Sequence, residues 1–229
     1  MMPFLLYDPT MLLLIPAIIL AVWAQHLVKS TYAKYSKVSA ASGMTGGNVA
    51  ERLLRDGGLN DVEVEEVEGK LTDHYDPRTK TLRLSTSISR SRSVAALGIA
   101  AHEVGHAMQH KMAYSAFHIR QSIFPVANIG STLAFPLFFI GFLFTVPLLR
   151  DVGIILFSGA VLFHVVTLPV EFNASTRALS LLRSRGYLAD SEVGQAKKVL
   201  QAAALTYVAA TAVAVLHLLR MLLLRGARD

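Results

Sequence analysis

Four apolar runs stand out along the chain, at residues 11–28, 123–149, 152–170 and 202–224. Each is close to the ~20 residues that an α-helix needs to cross a hydrocarbon core. The pattern predicts about four transmembrane helices. Lys29, Lys34 and Lys37 follow the first run, whereas a secretory signal carries its basic residues ahead of the apolar stretch and ends at a small-x-small site. The run therefore reads as a retained anchor. The second run carries Pro125, Pro136 and Pro147, which lipid-embedded helices tolerate better than soluble ones. Only Arg150 and Asp151 separate it from the third run, so the pair predicts a tight transmembrane hairpin.

The polar sequence after the first run has its own local order. Val49, Leu53 and Leu54 recur at helical spacing within residues 48–56, and Gly57-Gly58 supplies a stop. Three valines punctuate the acidic stretch 62–68, Asp76-Pro77 makes a turn, and residues 81–85 alternate like a strand. A small sheet is expected. From 91 to 111 the pattern turns helical, with Val94, Leu97, Ala101, Val104 and Met108 three to four residues apart. The expected organisation is an anchor (1–28), a polar α+β segment with the 91–111 helix (29–122), a transmembrane hairpin (123–170), a helix carrying Glu171 with a polar connection (171–201) and a final span (202–229). The fold class is a mainly α integral membrane protein with a small α+β element.

Composition reinforces this picture. The chain is 53% hydrophobic and 17% charged, against about 25% charged in soluble domains. Absence of cysteine excludes disulfide scaffolds, iron–sulfur clusters, cysteine nucleophiles and thiolate zinc sites, so any metal must be held by His, Asp and Glu. A net charge of +6 fits basic residues held against lipid headgroups better than nucleic-acid binding. Thirteen Lys/Arg lie between Lys29 and Arg120 and five between Arg177 and Lys198. By the positive-inside rule both polar segments are cytoplasmic and both termini outside, although Arg225 and Arg228 argue mildly against it.

Within the predicted 91–111 helix sits His102-Glu103-Val104-Gly105-His106. Residues four apart share a helix face, so the two imidazoles converge on one point where zinc can sit, and Glu103 beside them is placed to polarise water. Five-residue patterns recur by chance, but the helical context and slim neighbours Ala100, Ala101 and Ala107 favour the metal reading. A catalytic zinc needs a third protein ligand and an open position. The metzincin continuation fails, with Gln109 for its glycine and Met112 for its histidine. His110 follows one turn later and reads as a flanking group, since one straight helix cannot wrap three successive turns around one ion. His118 reads as an interfacial histidine. Glu171 is the better third ligand, a carboxylate where an apolar helix emerges and where the hairpin returns toward the histidines. His164, seven residues earlier, is either a functional intramembrane group or a neutral histidine bonded to a neighbouring helix. Arg177 either orients the Glu171 carboxylate, binds substrate or contacts headgroups, and Asn173 lies between the two.

The order of parts, with residues 100–110 (AAHEVGHAMQH) and 170–175 (VEFNAS) on either side of a membrane hairpin, resembles the bacterial YugP-type neutral zinc metallopeptidases over essentially the whole chain. It is more distantly similar to HtpX-type and CAAX prenyl membrane proteases. The resemblance implies Zn2+ bound by His102, His106 and Glu171, with Glu103 as catalytic base, and peptide or protein substrates at a bacterial plasma membrane. One departure is Ser175, which stands where the distant relatives carry an aspartate. The expected function is an integral membrane zinc endopeptidase whose strand 81–85 pairs by its edge with an extended peptide. The rival is a zinc-holding membrane scaffold, with a closed site in which His110 replaces the water.

Overall fold

The computed structural model describes residues 9–70 and 72–226. Residues 1–8 of the expected anchor, and Arg228, lie outside the described residues. A 3-10 turn (Pro9–Leu14) leads into α1 (Ile15–Tyr35), followed by α2 (Gly46–Asp56), β1 (Glu63–Val67), β2 (His74–Asp76), β3 (Thr81–Ser85), the short α3 (Thr86–Ser89) and α4 (Val94–Lys111). Three long helices complete the chain: α5 (Ser115–Leu143), α6 (Pro147–Ser184) and α7 (Asp190–Gly226). The protein is a mainly α membrane protein, with four helices among the described residues long and apolar enough to cross a bilayer.

These helices outrun the apolar runs. α6 has 38 residues, roughly 57 Å at 1.5 Å per residue, nearly twice a ~30 Å hydrocarbon core. It passes through Pro169 without ending, so no break precedes Glu171. α5 begins at Ser115 and α7 at Asp190, ahead of the positions 123 and 202 where their apolar runs start. Hydropathy marks the stretch that suits lipid, whereas capping marks where a helix starts. At α7 the Glu192 carboxylate accepts the Ala189 backbone N–H at 2.8 Å, the return half of a capping box. At α4 the Ser93 hydroxyl accepts the Ala96 N–H at 3.2 Å, which moves the start from the expected 91 to Val94.

The chain forms two units. The apolar unit comprises residues 9–25, Ile119–Leu168 and 206–226. Its interior is aromatic, with Phe138, Phe142 and Phe157 buried beside Ala134 and Ala160. Its outward positions stay apolar too, among them Val126, Ile129, Leu148 and Ile155, as expected of a surface solvated by acyl chains. Arg225, near the end of α7, pairs with Asp151 at 2.9 Å.

The polar unit comprises His26–His118 and Pro169–Leu205. Leu53, Leu82, Leu84, Ile88, Leu97, Val104, Phe117 and Leu182 are fully or almost fully buried in its core. The sheet order is β1-β3-β2, with β1 parallel and β2 antiparallel to β3. The expected edge pairing at residues 81–85 is thus corrected: β3 is the central strand, bonded on both sides. The reason lies in its side chains, since every β3 residue except Arg83 is buried. Arg83 itself ties the sheet together, pairing with Glu65 on β1 at 2.9 Å and Asp76 on β2 at 3.3 Å. The charged β1 and the three-residue β2 take the edges, where exposed backbone is easier to tolerate.

Candidate active site

The site is assembled in the polar unit by α4 and the C-terminal half of α6. Gly105 allows the two helices to meet. A Cβ there would lie 2.7 Å from the Ala174 carbonyl oxygen and 3.1 Å from the Ala174 Cα, so any side chain would push α6 away. With the gap closed, Glu171, 2% exposed, lies against the facing turn of α4. His102 Nε2 stands 3.3 Å from Glu171 Oε2 and His106 Nε2 stands 3.7 Å from Glu171 Oε1. The three ligand-type atoms lie within 4.8 Å of one another. Two ligands at ~2.0–2.1 Å in a tetrahedral zinc shell sit about 3.4 Å apart. The donor set fits zinc in spacing as well as in chemistry.

The far nitrogens of both imidazoles are also engaged. Gln109 spends its amide protons on the Val170 carbonyl at 2.8 Å and the Asn173 side-chain oxygen at 3.0 Å. Its own oxygen must therefore accept, and His106 Nδ1–H donates to it at 3.0 Å. That tautomer leaves the His106 Nε2 lone pair facing Glu171, as a metal ligand requires. His102 Nδ1 contacts the Ser175 hydroxyl at 3.2 Å, so a neutral side chain serves where a carboxylate was missing from the pattern. Arg177 donates from Nε to Asn173 at 2.7 Å, which makes a relay from Arg177 through Asn173 and Gln109 to His106.

Glu103 is buried. Burial pushes its carboxyl up to about 7, helped by the Glu171 and Asp73 charges and opposed chiefly by His102. Such a group can accept and release a proton near neutrality.

Of the remaining sequence candidates, Asn173 and Arg177 join the site through this network. His110 does not join the metal-type cluster: its Nδ1 bonds the Tyr75 hydroxyl at 2.9 Å and its ring stacks on Phe117 at 5.8 Å. His164 belongs to the apolar unit, roughly 10 Å along α6 from Glu171. Its carbonyl accepts from Thr211 at 3.5 Å, and it too is outside the cluster. Sequence reasoning missed Gln109 and Ser175 as positioning groups. The available signal was spacing: Gln109 is three residues past His106, and Ser175 is four past Glu171.

The family described as "Putative neutral zinc metallopeptidase" matches residues 10–226. The chain is also 51% identical over 213 residues to the "Putative membrane protease YugP" of Bacillus subtilis (strain 168), covering 93% of this chain and 94% of that relative. No solved structure matches the chain significantly. The implied cofactor is Zn2+, and the three-residue donor set above fits it. With a match over nearly its full length and an HExxH helix facing a buried glutamate, the chain belongs to the neutral zinc metallopeptidase family.

Proposed function

We propose that the protein is an integral membrane zinc endopeptidase in which His102, His106 and Glu171 hold the metal and Glu103 is the proton-transfer base. The observation that carries this reading is the convergence of three ligand atoms within 4.8 Å. Zinc, when bound, supplies Lewis acidity that polarises a carbonyl and acidifies water. Glu103 takes the proton from the attacking water and delivers it to the leaving amine, a double task suited to a carboxyl raised to about 7. Gln109 holds His106 in the tautomer that points a free Nε2 inward, and Ser175 contacts the far nitrogen of His102. His102, His106 and Glu171 would be three protein ligands, the number found in catalytic rather than structural zinc sites. The closed-site scaffold is the weaker reading because His110, its fourth ligand, is committed to Tyr75. A peptide main chain would find its hydrogen-bonding edge at β2, which is the outer strand packed on α4.

Stripping the purified, detergent-solubilised protein with a chelator tests this directly. Casein hydrolysis should fall to background and return on adding back about one zinc per chain. Hydrolysis that persists in protein shown to be free of metal would refute the reading.

The same reading puts the site on the cytoplasmic side of a bacterial plasma membrane, an orientation supported by the eighteen of twenty-two basic residues that would then lie inside. The chain has no cysteine, so single cysteines at the exposed positions Lys70, Thr145 and Arg183 report without background. An impermeant thiol reagent on intact cells should label position 145, in the turn before α6, and spare 70 and 183. Labelling at 183 with none at 145 would invert the topology.

A further inference from the structure

Away from the metal-type cluster, but within the polar unit, α1 and α7 enclose a groove of about 530 Å³ lined by Leu27, Ser30, Thr31 and Lys34 from one helix and Lys198, Gln201, Ala202 and Leu205 from the other, with Tyr35 beside them. On each helix the lining residues fall at i, i+3, i+4 and i+7, so each contributes one continuous stripe. The two stripes are graded alike. Along α1 the sequence runs from Leu27 through hydroxyls to Lys34; along α7 it runs from Lys198 through an amide to Leu205. Tyr35 and Val199, the neighbours of Lys34 and Lys198, share one buried cluster, so the two ammonium groups mark one end of the groove and the two leucines the other, roughly 10 Å away along the helices.

Neither charge has a counter-ion among the described residues. No carboxylate lines the groove. Among the described residues neither Lys34 nor Lys198 makes an ion pair, Lys34 lying instead 5.4 Å over the Tyr35 ring. Both helices carry the apolar stretches that suit a bilayer. We propose that this groove binds a single anionic phospholipid, with its phosphate between Lys34 and Lys198, its glycerol ester region beside Ser30, Thr31 and Gln201, and an acyl chain along Leu27 and Leu205. A soluble acidic peptide would satisfy the lysines but not the leucine end. A zwitterionic lipid would satisfy the leucines but brings its own cation to the lysines. Basic pockets between membrane helices are a recurrent site for anionic headgroups.

The test uses the full-length zinc-loaded protein in neutral detergent, titrated with phosphatidylglycerol or with phosphatidylcholine of the same acyl chains and read by native mass spectrometry. One phosphatidylglycerol per chain should be retained in preference to phosphatidylcholine. Lys34→Gln combined with Lys198→Gln should weaken that retention about thirtyfold, each lysine near a headgroup being worth about 1 kcal/mol. Lys29→Gln with Lys37→Gln removes the same charge outside the groove and should leave retention within about threefold. Ser30→Phe fills the groove without touching a charge and should also release the lipid, while zinc content and melting temperature show that each variant is folded. Equal loss in both lysine pairs would mean only a diffuse surface potential, and equal retention of phosphatidylcholine only an apolar cleft. Displacement of the lipid by millimolar inorganic phosphate would mean an anion site without lipid specificity. Each of these three results overturns the proposal.

Discussion

Glu103→Gln should leave a protein that folds, inserts and binds about one zinc per chain, yet hydrolyses casein some 10²–10⁴-fold more slowly than wild type. The substitution preserves side-chain size and leaves His102, His106 and Glu171 in place. It also replaces a buried group, whose charged form burial disfavours, with a neutral amide, so stability should be unchanged or slightly raised. What disappears is the ability to take a proton from water and return it to the leaving amine. Metal analysis and the hydrolysis assay on the same preparation separate the two roles. Stoichiometric zinc with residual activity supports the base assignment. Loss of zinc in this variant would instead make Glu103 a ligand, and wild-type activity would remove it from the mechanism.

The parts of the site legible in the sequence are those that depend on local geometry. His102 and His106 are one helical turn apart whatever surrounds them, so the helix pattern alone places both imidazoles on one face. Glu171 was legible by its cost, a carboxylate at the end of an apolar run. For Gln109 and Ser175 spacing offered only a shared helix face, because their partners depend on the approach of α6 to α4 through Gly105, a contact between residues more than sixty positions apart. Only then do the backbone carbonyl of Val170 and the side chain of Asn173 take the Gln109 protons and leave its oxygen for His106. The sheet shows a related limit. Alternation at residues 81–85 identifies a strand, but a half-buried edge and a fully flanked centre differ only in what the neighbouring strands supply. Here Glu65 and Asp76 reach Arg83 from opposite sides, and the centre wins. Helix lengths exceed the apolar runs for another reason: lipid selects about twenty apolar residues, whereas α6 continues for the further turns that carry Glu171, Asn173, Ser175 and Arg177 to the site.

Glu171→Gln should fail in a different way from Glu103→Gln, losing metal and activity together. The wild-type carboxylate offers one oxygen near each imidazole, 3.3 Å from His102 and 3.7 Å from His106, and supplies the only negative charge in the donor set. An amide keeps one weaker oxygen donor and turns its NH2 toward the other Nε2, so two neutral imidazoles and a carbonyl must hold a divalent cation. Changes outside the immediate ligand shell typically cost 10–100-fold in metal affinity; removing an anionic ligand should exceed about 100-fold on that scale. Zinc measured after dialysis should drop well below one per chain, and excess zinc should restore part of the hydrolysis through the remaining amide oxygen, which it cannot do for Glu103→Gln. Retention of full zinc at wild-type affinity together with wild-type hydrolysis would remove Glu171 from the ligand set. The next candidate would then be His110, which would have to leave Tyr75 and turn back one helical turn toward His106.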